Sequence, residues 1–168
     1  MTDIEFFNIN DDYFVFDPNS KWVIDGGVQI RFGEEIFSFG WDETNEGIDY
    51  SIENKLEKQL GELPFYSLDA KKVNGINSLI GKEIKDVELK WQYYQEYDDD
   101  FELKEEKIYT PVEIILRFES DEFLQLAIIS FQIKKDPFEI VNAIYDLNGQ
   151  FLVSLNGGIE ITSPPLEL

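Results

Sequence analysis

Between Val87 and Tyr93 the chain alternates without a break: Val87, Leu89, Trp91 and Tyr93 are separated by Glu88, Lys90 and Gln92. Successive side chains of an extended strand point to opposite faces. A period of two therefore fits a strand with one apolar face and does not fit a helix. The alternation returns at Val28, Ile30 and Phe32, and again at Val112, Ile114, Leu116 and Phe118. Turn chemistry separates such runs. Asp17-Pro18-Asn19-Ser20, Gly33-Glu34-Glu35 and Ser120-Asp121-Glu122 supply turns, while Asp25-Gly26-Gly27, Leu147-Asn148-Gly149-Gln150 and Asn156-Gly157-Gly158 read as hairpin signals.

The remaining strands are expected at Ile4 to Ile9, Asp12 to Phe16, Trp22 to Ile24, Ile36 to Trp41 and Phe123 to Ile133. Phe138 to Tyr145 fits a strand or a short helix. Ser51 to Leu63 is expected to be helical, because Ile52, Leu56 and Leu60 recur every four residues and Lys55 and Lys58 lie between acids. A single turn is expected at Ile76 to Ile80. The predicted fold is one β-rich α+β domain spanning 1–168: antiparallel meander sheets with one or two short helices. At an offset of 86, Val28 to Phe32 followed by Phe37 aligns with Ile114 to Phe118 followed by Phe123, which suggests related halves, 1–84 and 85–168.

Composition narrows the chemistry. The chain has no His and no Cys, so imidazole bases, thiol nucleophiles, disulfides and thiolate zinc sites are excluded. No phosphate-binding glycine motif and no nucleophile elbow is present. With 14 Phe, 8 Tyr and 3 Trp there is ample material for a core, unlike a disordered acidic tail. Thirty-five acidic residues against 14 basic ones leave a net charge of −21. Such a surface repels nucleic acid and anionic membranes and attracts a basic protein. The N-terminus, MTDIEFFNINDDYF, lacks the basic and apolar regions of a signal peptide, and no apolar run is long enough to span a membrane. The expected location is the cytoplasm. Arg31 and Arg117, the two arginines, fall on polar sides of predicted strands, where cross-strand pairing with an acid is expected.

Two segments combine acids with aromatics. The first holds Glu96, Asp98, Asp99, Asp100 and Glu102 beside Trp91, Tyr93, Tyr94, Tyr97 and Phe101. The second holds Trp41, Asp42, Glu43 and Glu46. Clustered carboxylates steer a cationic partner, and Tyr and Trp provide contact area at low entropic cost. Both segments are therefore candidate partner-binding surfaces; read without a partner, they are solvated acidic loops. Three consecutive Asp residues lack the alternate spacing and turn glycine of a calcium loop, so no metal is expected there. No cofactor is implied.

The runs GGVQIRFGEEIFSFGWDE (Gly26 to Glu43) and INSLIGKEIKDVELKW (Ile76 to Trp91) set strands and turns in a cysteine-free, acidic, aromatic-rich chain. In that style the chain resembles the immunity proteins of bacterial polymorphic toxin systems. The resemblance implies a cytoplasmic, non-catalytic protein that binds one cognate toxin and blocks its active site or partner surface. Many such toxins are basic nucleases, which would account for the sign of the charge. No individual residue's role is carried over. Two other classes stay open: a structural or adaptor domain whose acidity serves solubility, and a glycosidase-type hydrolase, which needs two carboxyls roughly 5–10 Å apart across a cleft.

Overall fold

The computed structural model describes residues 1–8, 15–17, 21–42, 49–53, 66–68, 75–97, 103–135, 138–147 and 149–163. They form two antiparallel sheets. The first contains β1 (Asp3–Asn8), β4 (Gly27–Phe32), β5 (Glu35–Asp42), β6 (Asp49–Glu53) and β7 (Tyr66–Leu68), in the order β6-β5-β4-β1-β7. The second contains β2 (Val15–Asp17), β3 (Lys21–Ile24), β8 (Ile84–Tyr97), β9 (Leu103–Phe118), β10 (Phe123–Lys135), β11 (Phe138–Tyr145) and β12 (Gln150–Leu155). Its order is β2-β3-β12-β10-β9-β8, and β11 pairs with the second half of β10.

Strand periodicity explains how the sheets pack. Phe6, Val28, Ile30 and Phe39 of the first sheet meet Trp22, Ile24, Ile114, Leu126, Phe151 and Val153 of the second in one core. Phe39 and Phe151 meet edge to face across it, with ring centroids 4.6 Å apart. Each such side chain removed from water contributes roughly 1.5–3 kcal/mol. Alternate residues of the second sheet face the other way, where Val23, Ala127, Ile129 and Leu152 bury against Ile140 and Ala143 of β11. A strand buried on both faces needs a continuous apolar run. That is why Phe123 to Phe131 is the most apolar stretch of the chain.

Several expectations are corrected. Asp25-Gly26-Gly27 does not close a hairpin; it carries the chain from β3 in one sheet to β4 in the other. The backbone N–H of Asp25 donates to Asn8 Oδ1 at 2.9 Å. A Cβ on Gly26 would lie 2.4 Å from the Phe7 carbonyl oxygen, so only glycine permits this crossing. Asn156-Gly157-Gly158 likewise starts no hairpin. Its chain continues across the outer face of the second sheet, where Thr162 bridges to Ile144 in parallel. The expected helix from Ser51 begins instead as strand: Ile52 pairs opposite Phe39 of β5, and this partner overrides the four-residue spacing. Residues 54–63 of that expectation lie outside the described residues. Among the described residues the only helical element is one 3-10 turn, Ile76–Leu79, where a turn was expected. Phe138 to Tyr145 is a strand. None of the described helices is long and apolar enough to cross a membrane.

The two hairpins aligned at the offset of 86 differ in register. Ile30 pairs with Phe37, whereas Arg117 pairs with Phe123. Phe37 packs against the shared core, while the ring of Phe123 lies 5.9 Å from the Arg117 guanidinium on the other face.

Candidate functional site

The most distinctive surface of the molecule is a ribbon made by β8 and β9. Residues Arg117 to Glu113 of β9 pair with Phe123 to Ala127 of β10. Beyond that point β11 takes the place beside β10, starting at Tyr145 opposite Ile129. From Val112 back to Leu103, β9 pairs only with β8 among the described residues. Pro111 stands at the parting. It has no N–H to donate, so it suits a strand that has lost a neighbour. The β8–β9 register also shifts here, between Lys90 and Trp91. Such an irregularity bends a ribbon away from its sheet.

The fork is closed by a buried polar network. Glu113 is fully buried. Its carboxylate accepts from Gln125 Nε2 at 2.8 Å and from the Tyr145 hydroxyl, and it pairs with Lys90 Nζ at 2.9 Å. Gln125 in turn donates to the Ile159 carbonyl at 3.0 Å and accepts from its N–H at 2.9 Å. A buried charge is tolerable only when its acceptor positions are filled, as they are here. The network ties together β8, β9, β10, β11 and the C-terminal crossing segment.

The two faces of β8 differ. Its polar face is tied down: Glu88 pairs with Arg117 at 3.3 Å, Lys90 with Glu113, and Gln92 Nε2 donates to Ser163 Oγ at 2.8 Å. Its apolar face is open. Val87 and Leu89 lie opposite Leu116 and Ile114, both buried in the shared core. The stripe thus continues the core face of the sheet past the point where the core ends. Val87 is 51%, Leu89 40%, Trp91 39% and Tyr93 61% exposed. Among the described residues β8 is also the last strand of its sheet.

Of the residues expected to bind a partner, Trp91 and Tyr93 lie on this stripe. Tyr94, Glu96 and Tyr97 continue β8, opposite Ile108, Glu105 and Leu103. Asp98, Asp99, Asp100, Phe101 and Glu102 lie outside the described residues, as do Glu43 and Glu46. Trp41 and Asp42 belong to β5 in the other sheet, opposite Tyr50 and Asp49 of β6. β6 approaches β9; the two candidate segments lie on β5 and β8, the strands beside these two. Val87 and Leu89, absent from the expected site, make up the other half of the stripe. Their alternation was visible in the sequence; their exposure depends on what the other sheet leaves uncovered.

A second cluster lies where the β9–β10 turn meets the 3-10 turn. Glu122 pairs with Lys82 and accepts from Ser120 Oγ at 2.5 Å and Ser78 Oγ at 3.0 Å. The Lys82 and Ser120 hydrogen bonds hold its pKa down at about 2. A pocket of about 180 Å³ beside it is lined by Lys85, Asp86, Arg117, Phe118, Asp121 and Glu122. The charges there are mixed in sign, and Arg117 and Glu122 are engaged by Glu88 and Lys82, so the pocket favours no single ligand. Both arginines have the expected acid partners: Arg31 lies 3.8 Å from Glu5, and Arg117 pairs with Glu88. Among the described residues no group of three or more carboxylates converges as a metal site would require. No protein-family model, curated protein or solved structure matches this chain.

Proposed function

We propose that this chain is a non-catalytic binding protein of the cytoplasm that neutralises a cognate basic toxin, of the nuclease kind, by forming a stoichiometric complex. The observation that carries the reading is the open apolar face of β8, with Leu89 at its centre, on a protein of net charge −21. Exposed aromatic and aliphatic side chains that share one face are the material of interface centres, and a single-sign field speeds the encounter with an opposite charge. Such a protein binds and blocks; it needs no cofactor. The choice of a toxin as partner rests on the resemblance in type to immunity proteins.

The test is co-expression with secreted cationic toxin domains encoded by neighbouring genes. The expected result is a stable complex on size exclusion and loss of the toxin's activity. Its association rate should fall as salt rises, since steering is screened within about 10 Å at 0.1 M salt. An association rate indifferent to ionic strength, or a toxin fully active in the presence of the chain, would overturn the reading.

A further inference from the structure

We propose that residues 156–163 form a latch: docked, they hold the β8–β9 ribbon at the angle that presents the apolar stripe; released, they let the ribbon swing at its root. This deepens the binding role proposed above and rests on it for its use, while its test needs no partner.

The latch crosses the outer face of the second sheet from β10 to β8. It leaves β12 at Asn156, whose backbone is left-handed, with φ 56°. There the Asn156 N–H donates to the Phe123 carbonyl at 3.0 Å, and Asn156 Oδ1 accepts from the Phe123 N–H at 2.9 Å. Midway, the Gln125 amide holds the main chain of Ile159 in both directions, and Ile159 and Ile161 pack on the outer apolar cluster. Next, the Thr162 N–H donates to the Ala143 carbonyl at 3.1 Å, and the Thr162 carbonyl accepts from the Tyr145 N–H at 3.0 Å. Last, Ser163 Oγ accepts from Gln92 of β8. The segment thus starts on β10, passes β11 and ends on the ribbon, spanning the fork.

Two features make it a device. First, it grips the strand that carries the stripe. Gln125 holds Glu113 as well as Ile159, and Glu113 holds Lys90, so the latch reaches β8 at Lys90 and at Gln92. These residues alternate with Leu89, Trp91 and Tyr93. Alternate side chains lie on opposite faces of one strand, so the latch holds one face and the stripe is the other. Second, its attachment is slight. Gly157, Gly158, Glu160, Thr162 and Ser163 are exposed, and Ile159 and Ile161 are half-buried. Among the described residues its ladder is one parallel bridge, from Thr162 to Ile144. Segments with few buried contacts and exposed backbone bonds open at a lower free energy than the core. The β8–β9 pairing does not pass through the latch, so release alters the ribbon's angle before its ladder.

The experiment uses the free full chain, isotopically labelled. Thr162→Pro removes the N–H donated to Ala143 at an exposed position and so releases the end of the latch. Ile161→Ser, which weakens its packing, serves if the first variant does not fold. Exchange at the Ile159 and Tyr145 amides is expected to speed by roughly tenfold or more, with the Leu126 amide unchanged. Residual dipolar couplings of residues 87–93 are expected to fit one alignment with β10 and β12 in wild type and to depart from it in the variant. Couplings that keep the wild-type fit while Ile159 and Tyr145 exchange faster would overturn the proposal. Unchanged exchange at both amides in both variants would overturn it too, since the segment would then be no latch. A ribbon indifferent to a released latch leaves the binding role standing. A chain that binds no cationic protein removes that role and leaves the coupling of latch and ribbon as measured.

Discussion

Strands β10 and β8 lie two places apart in one sheet, and each alternates apolar side chains toward the shared core. On β10, Leu124, Leu126 and Ile128 are fully buried, and Ala127 and Ile129 are buried on the opposite face. On β8, Val87, Leu89, Trp91 and Tyr93 are exposed. The side chains are of similar size and hydrophobicity. The difference is that the first sheet covers the core face of β10, whereas the stripe on β8 lies past that cover; among the described residues β8 also has only β9 beside it. Period two thus makes a face apolar, but neighbours decide whether that face becomes interior. An apolar face left at the edge, on a protein this charged, is available surface of the kind partners cover.

Substitutions should separate the two strands. Leu126→Ala should lower unfolding free energy by about 2–5 kcal/mol, through lost burial and the cavity left behind. The measurement is the urea midpoint at constant slope. If Leu89→Ala cost as much, the contrast between the strands would be broken. At the fork, Glu113→Ala leaves Tyr145, Gln125 and Lys90 without their shared acceptor, and should cost about 2–3 kcal/mol, tempered by the solvent exposure of Lys90. In hydrogen exchange this variant should loosen the ribbon root more than the centre of β10.

A smaller effect concerns pH. The folded-state pKa of Glu122 lies at about 2, below its ordinary 4.5. A lowered carboxylate pKa contributes stability that is fully present above 4.5 and is lost as pH falls from there toward 2. Glu122→Gln should flatten the stability profile in that window and leave it unchanged near neutrality in shape. Acid titration of urea midpoints checks this; an identical acid limb in the variant would contradict it. The smallest effect is expected on the stripe itself. Val87→Ser should shift stability by no more than about 0.5 kcal/mol, as exposed substitutions do, while weakening partner binding.

Much of this architecture was legible because strands announce themselves by alternation. Val28 to Phe32, Val112 to Phe118 and Val87 to Tyr93 are strands where their spacing put them. What failed depended on contacts distant in the chain. Asp25-Gly26-Gly27 has hairpin composition, yet its glycine is needed where the chain passes the Phe7 carbonyl, nineteen positions upstream of Gly26 in sequence but against it in space. Ile52 carried helical spacing, but a strand partner, Phe39, was waiting beside it. The site was half legible for the same reason. Trp91 and Tyr93 stood out as aromatics near acids. Val87 and Leu89 looked like ordinary core residues, since nothing local says where the covering sheet stops. Glu113 was one acid among 35 until Gln125 and Tyr145 were brought around it.

The most direct test of the central claim is the affinity of the cationic partner for Val87→Ser/Leu89→Ser, measured beside the variant's urea midpoint. The account predicts at least a tenfold weaker Kd with a midpoint close to wild type. An unchanged Kd in a folded variant would contradict it, because the open face of β8 would then be surface without a role.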